Sequence, residues 1–176
     1  MDTIRITSGD LRGRSVKSPS SKLTHPMGSR EKLALFNMID SNLSSARVLD
    51  AFAGSGALGI EALSRGANEV VFIEKAPKVA HIISENLKSL DLLEKAEVYV
   101  GDVDRFTTNE LFDVVIADPP YDKFEIEKIN NLTKLLKDDG TLVLSHPGTA
   151  PEFRGLKLTK SRKYAAASIS IYVKNV

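Results

Sequence analysis

The chain has 176 residues, 42% of them hydrophobic, with a net charge of +1 and no cysteine. That length suits one domain with a full core, and the missing cysteines exclude disulfides, a thiol nucleophile and thiolate metal sites. The opening MDTIRITSGD has no apolar signal core, and no stretch approaches the roughly 18 apolar residues of a membrane span. A soluble cytoplasmic protein without a membrane partner is expected.

The charge is unevenly placed. Residues 1–32 carry seven Lys/Arg against three acids, residues 33–151 eleven against nineteen, and residues 152–176 six against one. Basic ends on a nearly neutral chain point to a polyanion contact made by the termini. Residues 1–30 are expected to form a basic arm in which Arg5, Arg12, Arg14, Lys17, Lys22 and Arg30 meet phosphates and Gly9 and Gly13 mark turns. Residues 31–176 are expected to form the main domain.

After the arm, SREKLALFNMIDSNL places Leu33, Phe36, Ile39 and Leu43 on one helical face. RVLDAF reads as a buried strand, GSGALGIEALSRGA as a loop and a helix ending near Gly66, and EVVFIE as the next strand. KAPKVAHIISENLKSL has Pro77 in its first turn and aligns Val79, Ile82, Ile83, Leu87 and Leu90. AEVYVGD, FDVVIAD and GTLVLSH read as further strands, the last two separated by a helix with Ile126, Ile129, Leu132, Leu135 and Leu136. Apolar strands alternating with helices predict an α/β fold with a parallel sheet covered on both faces. LKLTKSRKYA and SISIYVKN, with about Ala166 and Ala167 between them, predict an appended antiparallel hairpin.

Gly54, Gly56 and Gly59 form G-x-G-x-x-G between a strand and a helix, where backbone can approach a ligand closely. Glu74 ends the following strand, placed for two ribose hydroxyls. A dinucleotide dehydrogenase and a nucleoside-binding methyltransferase both fit this much. Asp50 at the preceding strand tip would repel a pyrophosphate and attract an ammonium group, which favours S-adenosylmethionine over NAD. The third and fourth strands end in Asp102 and Asp118, so four successive strands end in acids expected to line one crevice. Asp118 opens Asp118-Pro119-Pro120-Tyr121. The prolines stiffen the chain and leave carbonyls to accept from an amino group, and Tyr121 offers a flat face to a base.

Together DAFAGSGALGIEALSRGA, the Glu74 strand and DPPY resemble class I methyltransferases, specifically the bacterial 16S ribosomal RNA guanine-N2 methyltransferases of the RsmD type. RITSGDLRGR and SREKLALFN are also similar to that family, so the resemblance runs from about Arg5 to Tyr172. It implies a Rossmann-like, seven-stranded, mostly parallel sheet with the last strand antiparallel, and S-adenosylmethionine as cofactor. It places Asp50, Ala51, Phe52, Ala53, Gly54, Ser55, Gly56, Glu74, Lys75, Asp102 and Val103 around that cofactor, with Asp118 between it and the guanine. Asp118, Pro119, Pro120 and Tyr121 are then the catalytic residues, and Arg5, Arg12, Arg14, Lys17 and Arg30 bind RNA. The implied partner is ribosomal RNA in an assembled or assembling small subunit, met by a monomer that uses no metal.

The sequence departs from the family pattern of Arg-Pro-Thr followed by Arg-Glu, because His25 and Met27 replace the arginine and the threonine while Pro26, Arg30 and Glu31 remain. The chain ends soon after Val173 without a longer basic tail. In the expected mechanism, the Asp118 side chain and the Pro119 carbonyl accept from N2–H and aim the nitrogen at the sulfonium methyl, while Tyr121 stacks on the base. His25, His81 and His146 are read as structural or surface residues. A methyltransferase acting on adenine N6 or cytosine N4, in RNA or DNA, shares the DPP-aromatic motif; Asn often opens it in those enzymes, and Asp118 leans toward guanine. A non-catalytic RNA-binding or assembly factor would need neither DPPY nor the glycine loop, and an NAD-dependent oxidoreductase would leave DPPY unexplained.

Overall fold

The computed structural model describes residues 2–19, 27–164 and 167–175. Lys22, His25, Pro26 and Ala166 lie outside these residues. Short strands β1 (Asp2–Arg5) and β2 (Ser15–Ser18) pair as an antiparallel hairpin, followed by helix α1 (Ser29–Ile39). Then come β3 (Arg47–Asp50), α2 (Ala57–Ser64), β4 (Glu69–Glu74), α3 (Pro77–Ser89), β5 (Ala96–Val100) and β6 (Phe112–Ala117). Helix α4 (Ile126–Thr133) leads into β7 (Leu136–His146), and β8 (Leu156–Lys163) and β9 (Ser168–Lys174) finish the fold.

The main sheet has the order β5-β4-β3-β6-β7-β9-β8. Its first five strands are mutually parallel, and β9 runs antiparallel between β7 and β8. This is the expected seven-stranded, mostly parallel sheet with a C-terminal antiparallel hairpin. Because β3 neighbours both β4 and β6, the chain leaves β3 in one direction and later continues in the other. Open α/β sheets bind ligands beyond the strand ends at such a switch.

The central strands are apolar on both faces, and alternate residues sort into two cores. Val48, Val70, Phe72, Val114, Ile116 and Val143 join α1, α2 and α3 on one side. Leu49, Val71, Ile73, Val115, Leu142 and Leu144 join Ile129 and Leu132 of α4 on the other.

Two helices differ from the sequence reading. In α1 the buried stripe is Lys32, Leu35, Phe36 and Ile39, while Leu33 is 42% exposed. A lysine occupies an inward position, so counting apolar residues rotates the predicted face. Helix α4 stops at Thr133, and Leu136 belongs to β7, where it pairs with Phe112. Strand register then slips before Thr141, with Asp139 at φ 61° inside the irregularity.

The β1–β2 hairpin is packed into the α1–α3 side through Ile6 and Val16. Its anchor is Glu61 of α2, fully buried. The Thr7 and Ser8 backbone N–H groups and the Thr7 hydroxyl donate to this carboxylate. Lys32 Nζ lies 2.9 Å from Oε2, and Arg65 Nε 3.1 Å from Oε1. Lys32 Nζ also donates to the Arg5 carbonyl at 2.6 Å. Burial pushes the Glu61 carboxyl up, but the Thr7 hydrogen bonds and Lys32 outweigh it and hold it below the usual glutamate value. The resulting stabilisation is present at neutral pH and fades as pH falls through that depressed value. Replacing Glu61→Ala strands a buried ammonium and several donors, for an expected loss of about 3–5 kcal/mol in urea unfolding at pH 7. A loss below about 1 kcal/mol would show that the cluster does not hold the hairpin and helices together.

Candidate active site

Parallel register sets the depth of the strand-end acids. Asp50 pairs with Phe72 on β4 and Ile116 on β6. It therefore sits two residues, about 7 Å along the strand direction, below Glu74 and Asp118. Asp50 lies on the floor of a crevice whose rim carries the other two. Their charges reach it: burial first, and then the Asp118 and Glu74 carboxylates, push the Asp50 carboxyl up to about 7, against a lowering hydrogen bond from Gly59.

Asp50 Oδ2 accepts from the Gly59 N–H in the first turn of α2, at 2.9 Å. This bond ties the β3 tip to the helix and fixes the intervening loop. Gly56, at φ 78°, precedes the helix in a conformation that disfavours side chains. At Gly59 a Cβ would collide with the Phe72 ring, so the third glycine lets α2 lie close on β4. Within the loop, the Ala51 N–H donates to the Ile116 carbonyl and the Ala53 N–H to the Ile73 carbonyl, pinning it to both neighbouring strands. Ala51, Ala53 and Ser55 are buried, while Phe52 is half-buried. Glu74 Oε2 accepts from the Gly54 N–H at 3.0 Å, and its Oε1 from the Ala76 N–H at 2.8 Å. Glu74 therefore shapes the loop as well as lining the crevice.

Asp102 stands apart from this trio. Its Oδ1 accepts from the Asp104 N–H and from Lys128 Nζ of α4, contacts that hold its carboxyl below the usual aspartate value. It borders an open cleft of about 420 Å³ beyond the β5 end, lined by Tyr99, Val100, Gly101, Asp102, Asp104 and Arg105. Val103 is half-buried beside it and Lys75 is exposed.

At the β6 end, burial raises the Asp118 carboxyl to about 6, partly offset by hydrogen bonding from Ser145 and Tyr121. The Tyr121 hydroxyl lies 2.6 Å from Ser145 Oγ, and Tyr121 stays 37% exposed. The two prolines differ. Pro120 is exposed and its carbonyl accepts from the Lys123 N–H at 3.0 Å, whereas Pro119 is buried and its carbonyl accepts no hydrogen bond from the described residues.

The sequence did not point to Ser145 or Asn86. Ser145 lies one residue before the end of β7, in the row beyond the Ala117–Leu144 pair, beside Asp118. Asn86, buried on α3, donates to the Ser55 and Lys17 carbonyls and accepts from the Lys17 N–H, linking the glycine loop to β2. Strand-end position could have drawn attention to Ser145. Asn86 carries no local signal, because its partners are 31 and 69 residues away. His146 is buried, Nδ1 bonding the Pro147 carbonyl and Nε2 the Ser170 hydroxyl, and burial lowers its proton affinity. His81 lies exposed on α3.

The arginines and lysine of the basic segment separate. Arg12 and Arg14 lie at the hairpin tip, where the Leu11 N–H meets Ser64 Oγ and Arg14 donates to the Ser89 carbonyl. Those are the C-terminal ends of α2 and α3, opposite the crevice. Lys17 pairs with Glu85, and exposed Arg5 stands on β1. Arg30 lies in the first turn of α1, whose other end at Asp40 pairs with Arg65 at the C-terminal end of α2, so Arg30 lies toward the crevice side.

S-adenosylmethionine fits this arrangement. Asp50 Oδ1 is buried without a hydrogen-bond partner among the described residues, and an amino-acid ammonium would complete it. Glu74 and Asp102 would hold polar groups further along the crevice. Among the described residues no group of three or more His, Asp or Glu could hold a metal ion, and no helix is long and apolar enough to cross a membrane.

Residues 4–173 match the protein family described as Conserved hypothetical protein 95. The chain is 35% identical to YlbH of Bacillus subtilis, whose name proposes an rRNA methyltransferase, across 97% of this chain and 99% of that protein. It is 36% identical to the ribosomal RNA small subunit methyltransferase D of Escherichia coli K12, across 79% of this chain and 69% of the relative. The solved Escherichia coli structure yhhF, titled as a candidate methyltransferase, superposes with a TM-score of 0.89 at 27% identity, covering 99% of both chains. The matched length, the sheet order and the glycine loop beside DPPY agree, and the chain belongs to the class I methyltransferase family of the ribosomal RNA small subunit methyltransferase D proteins.

Proposed function

We propose that the protein transfers the methyl group of S-adenosylmethionine to the exocyclic N2 of a guanine in small-subunit ribosomal RNA. The observation that carries this reading is the pairing at the β6 end, where half-buried Asp118 stands beside the unengaged Pro119 carbonyl. A planar exocyclic amine with two N–H groups needs two such acceptors, and Asp118 rather than Asn at the first position leans the reading toward guanine over adenine or cytosine.

When bound, S-adenosylmethionine supplies an electrophilic methyl on sulfur. Asp50 would orient the amino-acid end, Glu74 the ribose and Asp102 the adenine. Asp118 and the Pro119 carbonyl accept the two N2 hydrogens and draw the nitrogen lone pair out of the ring plane, toward the methyl. The half-exposed Tyr121 ring offers a face to the base, while Ser145 holds its hydroxyl. Asp118 or water would take the surplus N2 proton. Alignment of the two reactants lowers most of the barrier.

Replacing Asp118→Ala should lower kcat for labelled methyl transfer to small-subunit ribosomal RNA more than tenfold, or about 1.4 kcal/mol of barrier. Activity within tenfold of wild type would contradict the role given to this carboxylate. In the wild type, kcat should fall as pH drops through about 6, where Asp118 takes up its proton.

Cofactor binding gives a separate check at Asp50. Its raised value means that the free protein is protonated there below about 7, while an ammonium favours the ionised form. Calorimetric affinity for S-adenosylmethionine should therefore rise with pH up to about 7 and then level off. Asp50→Asn should bind more weakly, with a flat profile. A flat wild-type profile would remove Asp50 from ammonium recognition.

A further inference from the structure

We infer that the groove between α1 and the edge strand β8 receives RNA backbone phosphates flanking the nucleotide held at Asp118. The inference rests on the reading of the chain as an RNA methyltransferase and adds a contact surface to it. The groove encloses about 340 Å³ and is lined by Arg30, Leu33, Ala34, Asn37 and Met38 of α1 and by Lys160 and Arg162 of β8. It contains three cations and no carboxylate. Among the described residues Arg30, Lys160 and Arg162 form no ion pair, and Lys160 Nζ donates to the Met38 carbonyl at 3.1 Å, which holds it against the helix.

Sheet register links this groove to the active site. β8 runs parallel to β7, because β9 is antiparallel to both, so the C-terminal end of β8 lies on the crevice side. Arg162 pairs with Ile169, and Ile169 with Ser145. Ser145 in turn holds the Tyr121 hydroxyl. Asp118, Ser145, Ile169 and Arg162 thus occupy one row across four strands, and at about 4.8 Å per strand the row spans about 14 Å. From the other wall Arg30 sits at the crevice end of α1, because the opposite end of that helix, at Asp40, pairs with Arg65 at the C-terminal end of α2. Both walls lead to DPPY. The hairpin tip with Arg12 and Arg14 lies at the opposite end of the molecule.

Basic residues on an edge strand also discourage sheet-to-sheet pairing. That role does not account for Arg30, which comes from another element and faces the same hollow. Exposed Leu33 gives the groove an apolar wall suited to a ribose or base edge beside the phosphates. A membrane surface would instead call for a broader apolar face.

The test compares the double variant Lys160→Ala/Arg162→Ala with Arg12→Ala/Arg14→Ala, using unmodified small-subunit ribosomal RNA as the probe across a salt series. Loss of two phosphate contacts should reduce the slope of log affinity against log salt by about 1.4, taking about 0.7 per contact on single-stranded RNA. The groove variant should bind RNA about tenfold more weakly at moderate salt and show a raised KM for RNA, with kcat and S-adenosylmethionine affinity unchanged. The hairpin variant should change RNA affinity less than twofold. An unchanged slope in the groove variant, an equal loss in the hairpin variant, or wild-type protein that bound no RNA would overturn the inference. RNA binding is read without methyl transfer. Wild-type protein that bound RNA with the groove-dependent slope but methylated nothing would sink the proposed activity and leave the groove standing.

Discussion

The site depends on a buried carboxylate placed where a strand turns into a helix. Asp50 is 1% exposed, and among the described residues its carboxylate accepts a single hydrogen bond, from Gly59 in the first turn of α2. One bond does not compensate for burying a charge, so its proton affinity rises to about 7. Its second oxygen has no hydrogen-bond partner among the described residues, a deficit that a positive group at the strand tip would make good. The Gly59 bond locks the glycine loop between β3 and α2, so one side chain both fixes the loop and, among the described residues, keeps a second, unpartnered oxygen at the strand tip.

Around this floor the sheet order does the sorting. Crossing from β3 to β4 and β5 on one side and to β6 and β7 on the other splits the crevice in two. The β4–β5 half carries Glu74 and Asp102 and an open cleft, while the β6–β7 half carries Asp118, Pro119, Tyr121 and Ser145. Two ligands can therefore meet above Asp50 without sharing a wall. The Glu61 cluster stands below this surface, holding α1, α2 and the N-terminal hairpin as one body. Because α1 also forms one wall of the basic groove, that cluster steadies the groove as well as the core.

Much of this was legible in the chain, and what was not shares a physical cause. EVVFIE and FDVVIA are apolar on both faces and bounded by polar residues, so local pattern identified β4 and β6. Glycine spacing and terminal acids marked the C-terminal edge of the sheet because each signal lies within a few residues of its strand. Leu33 misled because Lys32 is buried by a partner 29 positions away, and no apolar count reveals an inward lysine. Helix α4 was read too long because Leu135 and Leu136 fit its period, yet Leu136 pairs across to Phe112. The basic N-terminal segment was read as one arm, but a hairpin folds back on itself and carries its tip to the far end of the sheet. Asn86 and Ser145 depend on contacts that only the folded chain creates. The basic character of β8 was visible in the composition, while its row with Asp118 needed the register.

The proposed role of the β6 end, presenting a guanine amino group to the methyl donor, can be read directly from the methylated product. The direct measurement is to incubate the protein with isotopically labelled S-adenosylmethionine and unmodified small subunits, naked ribosomal RNA, transfer RNA or duplex DNA, then identify the labelled nucleoside by mass spectrometry. N2-methylguanosine at one site of the small-subunit RNA is the expected product. Label in N6-methyladenine or N4-methylcytosine, or on DNA in preference to ribosomal RNA, would contradict it.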